Sequence, residues 1–183
     1  GWFLDWAEPR QYLRNALFIN TGMNRFLEVA QLAGLAHTDW TWSIVSGDLD
    51  ADGREDIFVP NGMTRDWMDN DLAMQSKGLA PAEYAQFWRR QPVRRDRNLA
   101  FRNLGDLQFT NVASVWGLDH EGPSFGAVLA DLDDDGRLDL VVNDFEAPAR
   151  IYRNEGPSGN RVTVRLRGTT SNRSGVGAIV RIE

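Results

Sequence analysis

The chain contains no cysteine. It therefore has no disulfide framework and no thiolate nucleophile, and the redox state of its compartment leaves no trace in the sequence. Histidine is nearly as scarce, with only His37 and His120. Both follow a Gly-Leu pair by two residues in an internal repeat. That equivalence points to a repeated structural hydrogen bond more than to a single acid–base group, despite the suitability of imidazole for one. No apolar run approaches the roughly 20 residues of a membrane-spanning helix, and there is no leader-like segment. No phosphate-loop spacing occurs, and Ser46, Ser114 and Ser124 lie in no nucleophile-elbow or triad-like setting. Basic charge is not in surplus either: the formal net charge is −6. Direct membrane insertion and nucleic-acid binding are therefore not expected, and neither is catalysis within these residues.

What is present is a nine-residue acidic loop that occurs twice. Asp48-Leu49-Asp50-Ala51-Asp52-Gly53-Arg54-Glu55-Asp56 is answered by Asp131-Leu132-Asp133-Asp134-Asp135-Gly136-Arg137-Leu138-Asp139. Aspartates at loop positions 1, 3, 5 and 9, with glycine at 6, are the chemistry of a Ca²⁺ site. Alternate residues turn oxygens inward, and the glycine takes a backbone turn that a side chain would obstruct. The expected ligands are Asp48, Asp50, Asp52 and Asp56 in the first site and Asp131, Asp133, Asp135 and Asp139 in the second. Arg54 and Arg137, at position 7, would offer their carbonyl oxygens. An EF-hand loop would carry glutamate at position 12 and lie between helices. Here position 12 is Val59 and Val142, and Ile57-Phe58-Val59 and Leu140-Val141-Val142 suit buried strands. Two bound Ca²⁺ would return about four positive charges, so the acidic balance is local metal chemistry.

The loops sit in a longer repeat. Shifting the chain by 83 residues aligns 15–61 on 98–144 without a gap, matching Phe18/Phe101, Asn20/Asn103, Gly22/Gly105, Phe26/Phe109 and Val29/Val112. Another start, Ile151-Tyr152-Arg153-Asn154-Glu155-Gly156, follows after only 51 residues, so the first interval holds an insertion at 62–97. Short strands and glycine turns at this period predict propeller blades or a similar β array. The unit Phe-Arg-Asn-x-Gly, then Phe125-Gly126-Ala127, then the aspartate loop and an apolar strand, resembles FG-GAP (or VCBS) repeats, the blades of integrin-α-like propellers. Val162-Thr163-Val164-Arg165-Leu166 and Ser171-Asn172-Arg173-Ser174-Gly175-Val176-Gly177-Ala178 are similar to the ASPIC/UnbV segment of cartilage-acidic-protein-like proteins. The first copy departs from the pattern at Trp42-Ser43, where the second has Phe125-Gly126, so its strand packing is expected to differ.

The predicted fold is mainly β: a partial propeller of antiparallel blades, a short helical insertion and a β tail. Residues 1–14 would end a preceding blade or insertion, 15–61 form repeat 1, 62–97 the insertion and 98–148 repeat 2. Residues 149–158 would start a third blade, and 159–183 form the ASPIC/UnbV-like strands. Two units cannot close a ring of about four to eight blades. With Gly1 at one end and Glu183 at the other, the sequence reads as part of a longer protein.

In the insertion, Pro81 suits a first helical turn and Gly78 a preceding stop. Apolar residues at 67, 68, 72 and 74, and at 84, 87 and 88, would make a packing face. The basic run Arg89, Arg90, Arg94, Arg95 and Arg97 is expected to pair with carboxylates. Core packing between blades is the expected role of most of the seven tryptophans. The functional expectation is a calcium-binding, non-catalytic module for adhesion to protein or glycan at an extracellular, cell-surface or periplasmic location. The alternatives are part of a polysaccharide-active enzyme, with Asp119, Glu121, Asp144 and Glu146 as candidate acids, and a passive element of a surface assembly.

Overall fold

The computed structural model describes residues 14–157, 162, 164–170 and 172–181; the segment 1–14 thus falls almost wholly outside the described residues. Strands β1 (Phe18–Asn20), β2 (Phe26–Glu28), β3 (Val45–Gly47) and β4 (Asp56–Val59) precede helices α1 (Asn70–Ser76) and α2 (Pro81–Arg90). Strands β5 (Leu99–Gly105), β6 (Gln108–Asn111), β7 (Ser124–Ala130), β8 (Asp139–Asp144) and β9 (Arg150–Tyr152) follow. They form a β1–β2 hairpin, a four-stranded sheet β3-β4-β5-β6 and a three-stranded sheet β7-β8-β9, antiparallel throughout. These are successive blades of a partial β-propeller, and the described residues form no closed ring.

Side-chain alternation along each strand explains the stacking. On β4, Ile57 and Val59 face one way and Phe58 the other; on β5, Leu99 and Phe101 oppose Ala100. The register pairs Ile57 with Phe101 and Phe58 with Ala100, so each face is matched across the two strands. Phe58 and Ala100 pack with Ala113, Leu118, Leu140 and Val142 between the two larger sheets. On the reverse face Val59 and Phe101 pack with Ala33 and Leu35 beside the first hairpin. Phe58 is fully buried, a contribution of about 1.5–3 kcal/mol.

The sequence repeat and the sheet are out of phase. Repeat 2 supplies β5 and β6 to the first large sheet but β7 and β8 to the next. Residues 149–158, expected to start a third blade, instead provide β9, which pairs with β8 in the existing sheet. The reason lies in the pairing: the hairpin opened by Phe101-Arg102-Asn103 and the strand opened by Arg150-Ile151-Tyr152 each add to the strand that follows the preceding aspartate loop. After each hairpin comes the same tight turn. Leu35 N–H donates to Ala30 O, and Leu118 N–H to Ala113 O, at 2.9 and 2.8 Å. Gly34 and Gly117 close these turns at φ +73° and +70°, where a side chain would be strained.

The departure at Trp42-Ser43 has a structural counterpart. β7 begins at Ser124 and bulges between Ser124 and Gly126, whereas β3 begins only at Val45. Trp42 keeps a backbone bond to Pro60 O at 3.3 Å, donates its indole N–H to the Gly62 carbonyl and packs edge-on against Phe125, with ring centroids 5.0 Å apart.

The insertion is helical as predicted. Asp69 caps α1 by accepting from the N–H groups of Asp71 and Leu72. Pro81 opens α2, and Glu83 accepts from Ala80 N–H at 3.2 Å. Trp88 is buried and stacks on Trp67 at 4.3 Å. Met68 and Met74, counted in the packing face, are exposed. The β tail is corrected: the described residues of 162–181 form no strand, and Val164, Leu166, Ile179 and Val180 are exposed. Alternation selects the faces of a strand but not its partner, and among the described residues no partner strand lies alongside. Asn172 instead closes a local turn, donating to Val176 O and accepting from Val176 N–H.

Candidate metal centre

Each aspartate loop joins the first two strands of a large sheet, β3 to β4 and β7 to β8. The position-1 carboxylate folds the loop onto itself: Asp48 accepts from Asp52 N–H at 3.0 Å and Gly53 N–H at 2.9 Å. Asp131 does the same with Asp135 N–H and Gly136 N–H at 3.1 and 2.7 Å. The position-9 carboxylate is buried beneath. Asp56 takes one N–H on each oxygen, from Asn103 at 2.9 Å and Leu49 at 3.0 Å. Asp139 takes Asn154 N–H at 2.8 Å and Leu132 N–H at 3.0 Å.

In this geometry Asp48, Asp50 and Asp56 bring one oxygen each to within 4.8 Å of one another, and Asp131, Asp133 and Asp139 do likewise. Oxygens held at about 2.3–2.6 Å from one Ca²⁺ are at most about 5 Å apart, so the donor type and the spacing both fit. Six of the ten predicted residues are thus gathered. The other four turn to one another. Asp52 pairs with Arg54 at 3.0 Å, and Asp135 pairs with Arg137. Arg137 also donates from Nε to the Asn154 carbonyl at 2.7 Å.

The sequence reading missed a second group, the Arg-Asn-x-Gly of the following strand. Asn103 donates from Nδ2 to Glu55 O, and Asn154 donates to Leu138 O, while their Oδ1 atoms accept from Gly105 and Gly156 N–H. Arg102 and Arg153 reach Asp50 and Asp133. The signal was available in the recurrence of this motif, which the sequence reading uses only to align the copies and to mark the family resemblance.

The two buried carboxylates differ in charge environment. Burial pushes the Asp56 pKa up, opposed by its two backbone donors, with Asp50 and Asp52 adding repulsion. The Asn154 and Leu132 N–H groups hold the Asp139 pKa down, with Arg153 and Arg137 assisting.

The opposite ends of the strands carry a different chemistry. Thr41 donates to Asn61, whose backbone N–H donates to Asn98. Asn98 donates to Ser124, and Ser124 to Asp144 at 2.6 Å, where Arg150 completes the line. Ser124 is fully buried and has both a donor and an acceptor partner, so it is a structural hydroxyl. The candidate acids Asp119 and Glu121 pair with Arg97, and Asp144 is committed to Ser124 and Arg150. Arg94 sits among Asp39, Asp66 and Asp96, so the expected ion pairing holds for Arg94 and Arg97. Burial, with Arg150 nearby, lowers the His120 pKa. His37 lies 3.3 Å from Gln31 Nε2. Among the described residues the His120 ring makes no such bond, so the expected contact is not common to both copies.

Blades whose inner hairpins each close on an aspartate loop define a class of repeat protein. Residues 6–59 and 91–142, more than half of the chain, match the FG-GAP-like repeat, and the protein belongs to that family. No curated protein matches the chain significantly. Among the described residues no helix is long and apolar enough to cross a membrane.

Proposed function

We propose that the chain is a calcium-binding, non-catalytic propeller module that presents a rigid face to a protein or glycan partner outside the cell. The supporting observation is the pair of carboxylate groups at ligand spacing, Asp48/Asp50/Asp56 and Asp131/Asp133/Asp139, in which positions 1 and 9 are held by backbone N–H groups. All the gathered donors are oxygen, which suits a hard cation such as Ca²⁺. Asp52, Asp135 and the carbonyls of Arg54 and Arg137 complete the proposed coordination. The ion joins position 1 of a loop to the buried position 9, and so ties consecutive strands of one blade. Extracellular modules of this kind bind with Kd of about 10⁻⁴–10⁻³ M, matched to calcium outside cells. The tail, similar to an ASPIC/UnbV segment, would belong to the same surface-exposed assembly.

Thermal melts in excess CaCl₂ and in EGTA test the proposal. At 100 Kd each filled site adds about 2.7 kcal/mol. For a chain of this size that raises Tm by about 5 °C or more per site. An identical Tm in the two buffers would refute the calcium assignment.

A further inference from the structure

Each aspartate loop is met by one arginine from the next strand of its own sheet. Arg102 on β5 places Nε 2.5 Å from Asp50 Oδ2 and Nη2 3.3 Å from Asp52 Oδ2. Arg153, just past β9, places Nε 2.8 Å from Asp133 Oδ2 and Nη2 4.0 Å from Asp135 Oδ2. The same guanidinium atoms meet the same two loop positions in both copies. The backbone behind each arginine is fixed, because the next residue, Asn103 or Asn154, donates its N–H to the buried position-9 carboxylate. Asp50 and Asp133 are also two of the gathered metal-site acids. Both arginine side chains are well exposed, 41% and 61%, so each can swing into water without burying its charge.

We propose that Arg102 and Arg153 are the resident counter-cations of the two loops and compete with the divalent ion for Asp50 and Asp133. This rests on the calcium reading above and adds to it the residues that set affinity. A guanidinium in ion-pair contact with a ligand oxygen neutralises part of its charge and repels an incoming dication. Binding of the ion therefore includes the release of the arginine. When the ion leaves, the guanidinium limits the repulsion among the carboxylates and keeps the loop closed.

The test is calorimetric titration of the whole chain with CaCl₂, beside melts in EGTA. Arg102→Gln and Arg153→Gln keep the reach as far as the Nε position and an N–H donor there, but remove the charge. Each is expected to tighten calcium binding at one of the two sites by about tenfold, from the loss of one unit charge near the ion, and to lower Tm in EGTA. Arg102→Lys, which retains the charge, is expected to stay near wild-type affinity and serves as the measurable variant if Arg102→Gln does not fold without calcium. Unchanged or weaker calcium binding in both Gln variants, with saturable binding in the wild type, overturns the competition and leaves the calcium sites standing. Absence of saturable binding in the wild type overturns both.

Discussion

At the residue scale the sites depend on a small number of side chains that perform two tasks. Asp56 has both oxygens occupied by backbone N–H groups, from Leu49 in its own loop and Asn103 on the neighbouring strand. One carboxylate therefore fixes the loop, pins β5 to β4 and still faces Asp48 and Asp50. Asp56→Asn replaces one acceptor oxygen with a donor and leaves one buried N–H without a partner. The expected loss is about 1–3 kcal/mol in EGTA, read by urea denaturation, and wild-type stability would show that the two contacts are not formed. His120 gives a second residue-scale prediction. Its folded pKa lies below the ordinary 6.5, chiefly through burial, so the unfolded chain binds the proton more readily. Its contribution is fully present above pH 6.5 and is lost as the pH falls below that value. His120→Gln should therefore flatten the dependence of Tm on pH below about 6.5, and an unaltered slope would assign the titration elsewhere.

At the element scale the helical insertion is a cluster of its own, assembled around Trp88 by Trp67, Tyr84 and Phe87. Arg65 ties it back by donating to the carbonyls of Trp88 and Arg89. Trp88→Ala removes a buried aromatic side chain, a change that costs about 3–5 kcal/mol in a core. Here the loss should stay local. Hydrogen exchange and limited proteolysis are expected to accelerate over 64–95 while protection of β4, β5 and β8 is kept. A matching loss of protection in those strands would make the insertion integral to the sheets. The helices were legible in the sequence because Pro81 and Gly78 mark local backbone states. The aspartate loops were legible for the same reason: their spacing and glycine act within nine residues. The phase of the blades was not, since β5 joins β4 through contacts made by Asn103 with Asp56 and Glu55, far away in the chain. Nor was the fate of the tail, where Val164 and Leu166 carry a strand pattern without a strand to pair with.

At the scale of the whole molecule the two large sheets meet along one seam, which no disulfide crosses. Its middle is the apolar cluster around Phe58, Leu140 and Val142, and its far end is the Asn98–Ser124 bond. At the loop end, among the described residues, one side chain hydrogen-bonds across it. Asn154 Nδ2 donates to Leu49 O in the first loop at 2.7 Å and to Leu138 O in the second at 3.2 Å, while its own N–H holds Asp139. An ion that orders the second loop therefore also orders the donor on which the first loop rests. Calcium binding at the two sites should be coupled, and reciprocally so. Disabling the second site with Asp131→Asn is expected to weaken calcium binding at the first, although the two loops share no ligand. In an Asn154→Ala background, where Leu49 O loses this donor, the same substitution should leave first-site affinity unchanged. The comparison is a double-mutant cycle whose interaction term isolates the Asn154 link. An interaction term of zero would mean that the two loops bind calcium independently, with the seam carried by its apolar middle and the Asn98–Ser124 end.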